Sequence, residues 1–419
     1  MKKEKILIVS YKIPYPLSHG GAIAQFFFLK KLIFFYDISF CTIVCNQIQK
    51  ENLEGLKKAI PELNIIIYEQ IDKIAFKSIL VNKLYRFSNI LKNKLKPLLS
   101  KMLGKINTNT NTNIGVIDKN FGYTSEGIVV FLNEIINKEK YKLIQLEFFE
   151  TISLLPLLPI QTKKIFIHHE IRGKRNSLIN IPNSIYKNYI VETTKIIENS
   201  FLNISDRIVV FNQKDKEYLG ELSSKVHISP FGIPNELIEK EKASVLFNKF
   251  IFIGGETHFP NKEGLEWFLD IIYIPNLDRI SWPIYITGRW SESFVKKYED
   301  KIDVIFTGFL PNLKEIYENS VMLTPILSGS GIRTKILQSF ANKLPVMSTK
   351  FASEGLFENV SPIHHIIHFE TEIDFLKEFE KMRDNMNYLT TVANNGFEYF
   401  SNNFNDIELV NKRLQVYLE

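Results

Sequence analysis

Lys5-Ile6-Leu7-Ile8-Val9-Ser10, then Pro16-Leu17-Ser18-His19-Gly20-Gly21-Ala22, then a helix-like stretch over 21–35, then Asp37-Ile38-Ser39-Phe40-Cys41-Thr42-Ile43-Val44: this order decides the fold. Short runs that are apolar with little polar alternation read as strands buried on both faces, which is the signature of a parallel sheet. Strand, glycine turn, amphipathic stretch and strand make one βαβ unit. The unit repeats outward from here. Further strands are expected at 64–68, 142–146, 164–168 and 207–211, and helices at 49–59, 184–202 and 213–219.

After Pro230-Phe231-Gly232-Ile233-Pro234 and the charged run 239–242, a turn-rich polar stretch reads as a linker, and a second series begins. Its strands are expected at 250–253, 284–287, 304–307, 321–325 and 345–348, with helix-like segments between them and a closing helix at 406–418. The pattern predicts an α/β protein of two doubly wound, Rossmann-like domains: 1–235, then 236–400, with 401–419 closing the chain. The 419 residues suit two or three ordinary domains, and 45% hydrophobic with 23% charged residues excludes a disordered or fibrous chain. A net charge of +6 is mild for this length, so a nucleic-acid-coating surface is excluded and any anionic partner must meet local clusters.

Cys41 and Cys45 stand about 13 Å apart along one strand face, too far for a disulfide, and read as buried free thiols of a reducing compartment. No apolar run approaches the roughly 18 residues that span a bilayer, so a cytoplasmic protein is expected. One region breaks the alternation. From 73 to 105 there are nine Lys or Arg and no Asp or Glu, interleaved with Ile, Leu, Phe and Met. Such a stretch either rests on an anionic membrane surface, here the inner face of the plasma membrane, or packs as a solvated helical insertion on its own domain. The Asn-Thr tract 107–113 that follows reads as a polar tether.

Motifs for nucleotide P-loops, dinucleotide fingerprints, zinc helices and Asp-x-Asp metal clamps are all missing, so phosphate would be met by backbone amides and by Arg or Lys, with no metal and no cofactor. Two places offer this. Gly20-Gly21 opens the first long helix, where exposed N–H groups favour an anion. Ser328-Gly329-Ser330-Gly331-Ile332-Arg333-Thr334-Lys335 runs from a strand into a helix whose first turn holds cations, against the preference for acids there; an anionic ligand would remove the conflict. His168-His169-Glu170 ends an apolar strand, where α/β sheets bind ligands, and because neighbours face opposite ways one of the two histidines enters the cleft. Glu147 ends the preceding strand and either reaches the cleft or serves in a cap or ion pair.

Taken together, Pro14 to Gly21, His169-Glu170, Pro230-Phe231-Gly232-Ile233, Ile253-Gly254-Gly255 with Pro260-Asn261, the run from Ser328 to Lys335, Pro345-Val346-Met347-Ser348-Thr349 and Glu354-Gly355-Leu356 resemble the group 1 (family 4-like) glycosyltransferases with the GT-B fold. The resemblance implies a retaining, metal-independent hexosyltransferase that moves a sugar from a nucleotide diphosphate sugar to a glycan or lipid-linked acceptor, as in surface polysaccharide or glycolipid synthesis. It implies His169, Arg333 and Lys335 as catalytic residues. The donor would be met by Gly20, Gly21, Gly255, Gly308, Phe309, Ser330, Gly331, Ile332 and Gln338, and Glu147 and Glu170 would lie on the acceptor side. Two departures stand out. Many relatives carry glutamates where Ser330 and Gln338 stand here, and no cation follows the first strand of the second domain until Lys262. The alternatives are a catalytically silent, glycosyltransferase-like partner subunit and, ranked last, a nucleotide-sugar epimerase.

Overall fold

The computed structural model describes residues 3–70, 124–178, 184–239, 246–357, 361 and 364–419; the basic stretch 73–105 and the tract 107–113 lie outside them. The first half builds β1 (Glu4–Ser10), α1 (Gly20–Leu32), β2 (Tyr36–Val44), α2 (Gln47–Ala59), β3 (Asn64–Glu69), α3 (Glu126–Lys138), β4 (Leu143–Glu147), β5 (Lys163–Ile167), α4 (Arg172–Leu178), α5 (Ile185–Leu202), β6 (Arg207–Val210), α6 (Gln213–Tyr218) and β7 (Val226–Ile228). The second half builds β8 (Lys249–Ile253), α7 (Phe259–Trp267), β9 (Ile284–Thr287), α8 (Glu292–Lys296), β10 (Val304–Gly308), α9 (Lys314–Tyr317), β11 (Ser320–Thr324), α10 (Thr334–Ala341), β12 (Val346–Ser348) and β13 (Ile367–His368). Three helices close the chain: α11 (Glu372–Asp384), α12 (Met386–Asn403) and α13 (Asp406–Leu418).

The strands form two sheets, ordered β3-β2-β1-β4-β5-β6-β7 and β10-β9-β8-β11-β12-β13, and every pairing is parallel. These are doubly wound orders, as the sequence pattern predicts. Each reverses once, at β1/β4 and at β8/β11, and the crevice outside the strand ends at such a point is where this class of sheet binds ligands. β1 shows why its apolar run reads as it does. Ile6 and Ile8 pack in the same core as Phe26, Phe27 and Leu29 of α1, while Leu7 and Val9 pack with Leu132 and Ile136 of α3.

Six elements escape the pattern reading: α3, α4, β7, β13, α11 and α12. β7 and β13 have three and two residues, too short for periodicity to register. α3 contains Ile-Val-Val, which favours strands, and becomes a helix because Leu132 and Ile136 turn a stripe onto the second core. Cys41 is buried as expected and burial pushes its thiol up to about 12, but Cys45 is exposed, because β2 ends at Val44 and no strand neighbour covers it.

The terminal helix α13 returns to the first sheet. Arg413 is 1% exposed, with its guanidinium 3.6 Å from the Phe28 ring centre and its Nε donating to Ser229 Oγ at 3.0 Å. Lys163 Nζ donates to the Val416 and Tyr417 carbonyls at 3.0 Å, setting a cation against the helix's negative end. Among the described residues no helix is long and apolar enough to cross a membrane. Arg413→Ala removes a buried side chain and leaves its cradle open, so the denaturation midpoint is expected to fall by the equivalent of about 3 kcal/mol. An unchanged midpoint would mean that Arg413 does not hold α13 in place.

Candidate active site

The reversal points of the two sheets face each other. From the first come the β1–α1 loop, Phe148 after β4 and His169 after β5; from the second come Gly254-Gly255 after β8 and the loop 325–333 after β11. Two close approaches at glycines bring them together. A Cβ on Gly20 would lie 2.6 Å from Thr334 Oγ1, and one on Gly331 would lie 3.0 Å from the His169 carbonyl oxygen. Gly331 also holds φ +78°, a conformation that L side chains rarely adopt, so both geometry and space require glycine there. The amino ends of α1 and α10 therefore meet across the cleft.

Of the two adjacent histidines, only one enters. His168 turns into the body, where its Nε2 lies 2.9 Å from Glu198 Oε1. His169 stacks on the Phe148 ring with centroids 3.8 Å apart and takes the edge of Phe211 at 5.3 Å. Its Nε2 lies 2.8 Å from Glu147 Oε2, while its buried Nδ1 has no hydrogen-bond partner. Burial lowers the imidazole pKa against the opposing effect of Glu147, which favours a neutral ring at pH 7. Phe148 holds φ +69°, an arrangement that costs a non-glycine residue about 1–3 kcal/mol and is typical of functional sites. Here it lays the ring flat against the histidine. Glu147 is thus a buried partner of His169, not a group open to an acceptor.

On the opposite wall, Arg333 caps the start of α10, and its Nη1 donates to the carbonyls of Ser330 at 2.8 Å and Gly331 at 2.6 Å, holding the glycine loop closed on itself. Its Nε is buried without a partner, as is Ser330 Oγ. Lys335 Nζ donates to Asn261 Oδ1 at 2.9 Å and sits 4.3 Å from the Phe252 ring centre. Burial lowers the Arg333 pKa, and burial together with the charge of Arg333 pushes Lys335 down to about 7. Neither α1 nor α10 has an acidic residue in its first turn. Two helix amino ends and two cations thus converge without a carboxylate in either first turn, an arrangement that an anion stabilises.

The remaining predicted residues are spread around this centre. Gly255 lies where a Cβ would come 3.3 Å from the Arg289 carbonyl, at the close of the β8 and β9 ends. Gly308 has φ +72° and open space beside it, and Phe309 is exposed with the Arg289 guanidinium 5.7 Å from its ring centre. Gly21 faces the Phe148 ring, Ile332 packs partly buried on the core, and Gln338 is buried on the inner face of α10. Glu170 is engaged elsewhere: Arg175 Nη1 donates to it at 2.9 Å, and His258 of the second half lies 3.8 Å away. Burial raises its carboxyl pKa, but His258 and Arg175 outweigh that and hold it down to about 2. Lys262 is tied to Glu256 at 2.6 Å.

Sequence reading did not select Thr334, His19 or Asn261. Thr334 touches Gly20 only across the cleft, His19 caps α1 by accepting from the Ala22 N–H at 3.2 Å, and Asn261 holds Lys335. A capping residue ahead of Gly-Gly is the one local signal that could have marked His19.

Residues 248–377 match the family model described as glycosyl transferases group 1. A Klebsiella pneumoniae protein, described as an uncharacterized 44.6 kDa protein in cps region, is 24% identical over 417 residues, covering 96% of each chain. Sucrose-phosphate synthase from Thermosynechococcus elongatus has a similar structure, with TM-score 0.66 and 13% identity over 99% of this chain and 98% of that one. S. aureus TarM, in complex with Fondaparinux, alpha-GlcNAc-glycerol and UDP, aligns with TM-score 0.66 and 12% identity over 99% of this chain and all 100% of the other. Anabaena Alr3699/HepE, in complex with UDP and glucose, gives 0.63 and 10% over 99% and 100%. The fold is the one the sequence resembles: the whole chain has the GT-B fold, and residues 248–377 of its second half match the group 1 glycosyltransferase family.

Lys335 supplies a pH test. Its folded value near 7 lies below its ordinary 10.5, so the unfolded chain binds the proton more tightly. Stability from this group therefore rises with pH from about 7 to about 10.5, and the penalty is full below about 7. A bound polyanion restores the charge. Pyrophosphate binding at pH 8 is expected to take up protons, measured by calorimetry in buffers of different ionisation heat, and Lys335→Met is expected to abolish the uptake. Equal heats in all buffers for the unaltered protein would contradict the placement of Lys335.

Proposed function

We propose that this chain transfers a sugar, with retention at the anomeric carbon, from a nucleotide diphosphate sugar to a glycan or lipid-linked acceptor. The observation that carries the reading is the convergence of α1, α10, Arg333 and Lys335 on one point opposite His169. Breaking the anomeric C–O bond builds charge on the leaving diphosphate, and donors already aimed there stabilise the transition state more than the ground state. In this reading Lys335 and the two helix ends meet that charge, so no metal is required. Arg333 contributes in two ways, through its own charge and by holding the Ser330 and Gly331 carbonyls so that the loop amides stay aimed at the diphosphate. His169, neutral and clamped between two aromatic rings, faces the sugar.

The UDP bound in the TarM and HepE structures supports a nucleotide sugar as donor, and the cps-region relative supports a role in building a surface polysaccharide. The basic stretch 73–105 would bring a lipid-linked acceptor to the membrane face. Exchanging several of its lysines for glutamate is expected to weaken binding to vesicles containing anionic lipid, and undiminished binding would remove the membrane role.

A second reading, a silent partner subunit, is favoured by Ser330 and Gln338 at positions where many relatives carry glutamates. Turnover separates the two. One of UDP, GDP and ADP is expected to raise the melting temperature of the protein, and the corresponding nucleotide sugars are expected to be hydrolysed slowly without acceptor. Arg333→Ala and Lys335→Ala are each expected to lower that rate on the order of a hundredfold while the fold persists. Unchanged rates in both variants would overturn the phosphate assignment, and no nucleotide response at all would favour the silent subunit.

A further inference from the structure

His169 is the end of a buried polar chain that starts on the last helix of the protein. Tyr417 of α13 hydrogen-bonds Gln145 Oε1, Gln145 Nε2 donates to Glu147 Oε1 at 2.6 Å, and Glu147 Oε2 lies 2.8 Å from His169 Nε2. All four members are buried or nearly so: Gln145 is 1% exposed, Glu147 3% and Tyr417 1%, and the His169 side chain is 6% exposed. Hydrogen-bond chemistry gives the chain a direction. A carboxylate only accepts, so both neighbours of Glu147 must donate to it. Gln145 must then turn its amide N–H groups toward Glu147 and its oxygen toward Tyr417, which leaves Tyr417 as the donor. Burial lowers the pKa of the neighbouring Arg413 guanidinium, and Tyr417 and Glu147 oppose that effect.

The same logic fixes the imidazole. With Nε2–H donated to Glu147, the neutral ring has its lone pair on Nδ1, the nitrogen that is buried and has no partner. Phe148 and Phe211 hold the ring from face and edge, so it cannot rotate to exchange the two nitrogens. We propose that Glu147 is a positioning residue that locks His169 as the Nε2–H tautomer with Nδ1 left as an acceptor for a ligand hydroxyl, and that Gln145 and Tyr417 carry this constraint from the docked terminal helix.

This inference deepens the sugar-transfer reading, yet its test does not depend on any substrate. The full chain labelled with 15N-histidine is examined by long-range 1H–15N correlation, with His169 assigned by the signal lost in His169→Asn. The unaltered protein is expected to show a protonated Nε2 and an unprotonated Nδ1. Glu147→Gln, which can donate as well as accept, is expected to give mixed tautomers, and Glu147→Asp to restore the Nε2–H form. Tyr417→Phe is expected to shift the His169 nitrogen signals in the same direction as Glu147→Gln, by less. An Nδ1–H tautomer in the unaltered protein overturns the proposal even where a variant fails to fold. An unchanged tautomer in folded Glu147→Gln overturns it as well, and unmoved His169 signals in Tyr417→Phe overturn the link to α13. Failure of every nucleotide to bind would sink the sugar-transfer reading while leaving this result standing.

Discussion

The two halves come close in the cleft at two glycines, one against a backbone carbonyl and the other against a threonine side chain. Gly331 lies over the His169 carbonyl in a left-handed conformation, and Gly20 lies against Thr334. A Cβ at Gly331 would crowd the His169 carbonyl and one at Gly20 would force the Thr334 side chain aside, so both glycines let the amino ends of α1 and α10 lie close. Everything proposed for the site depends on that closeness, since helix-end potentials fall off within about the first turn.

The site also carries an unbalanced charge. Burying cations is costly unless something compensates them, and here Arg333 is met by loop carbonyls and Lys335 by an amide oxygen and an aromatic face, not by an acid. Glu170, Asp215 and Glu354 act on Arg333 through space, but the hydrogen-bond partners of both cations are neutral oxygens. Glu170, whose charge acts on Arg333 through space, is itself bonded to Arg175 and lies 3.8 Å from His258. Two buried cations with no carboxylate bonded to them, beside two helix amino ends, favour the arrival of an anion. On the facing wall the logic is reversed: a histidine kept neutral by burial is oriented by a buried carboxylate, so the two walls present different chemistry to one ligand.

Much of this was legible in the chain. Strand runs such as Ile6-Leu7-Ile8-Val9 announce themselves because both faces are buried, and the Ser328 to Lys335 run announces an anion site because its glycines and cations conflict with an ordinary helix start. The alternation of side chains along a strand predicts that only one of His168 and His169 enters the cleft, and it does. Other features had no local signal. Glu147 and Glu170 look alike as carboxylates at strand ends, but one orients a histidine and the other bridges the two halves of the molecule. Gln145 and Tyr417 are 272 positions apart, and nothing near either residue marks their partnership.

The sequence by itself determined the order of strands and helices, the two doubly wound units and the glycine loops, because these follow from periodicities of two and 3.6 residues and from local backbone freedom. Only the tertiary structure decided which nitrogen of His169 is bound, which cations lose their water, and where α13 docks. Those outcomes depend on the burial and direction of groups brought together from distant parts of the chain, and no local pattern encodes a dielectric or a distance.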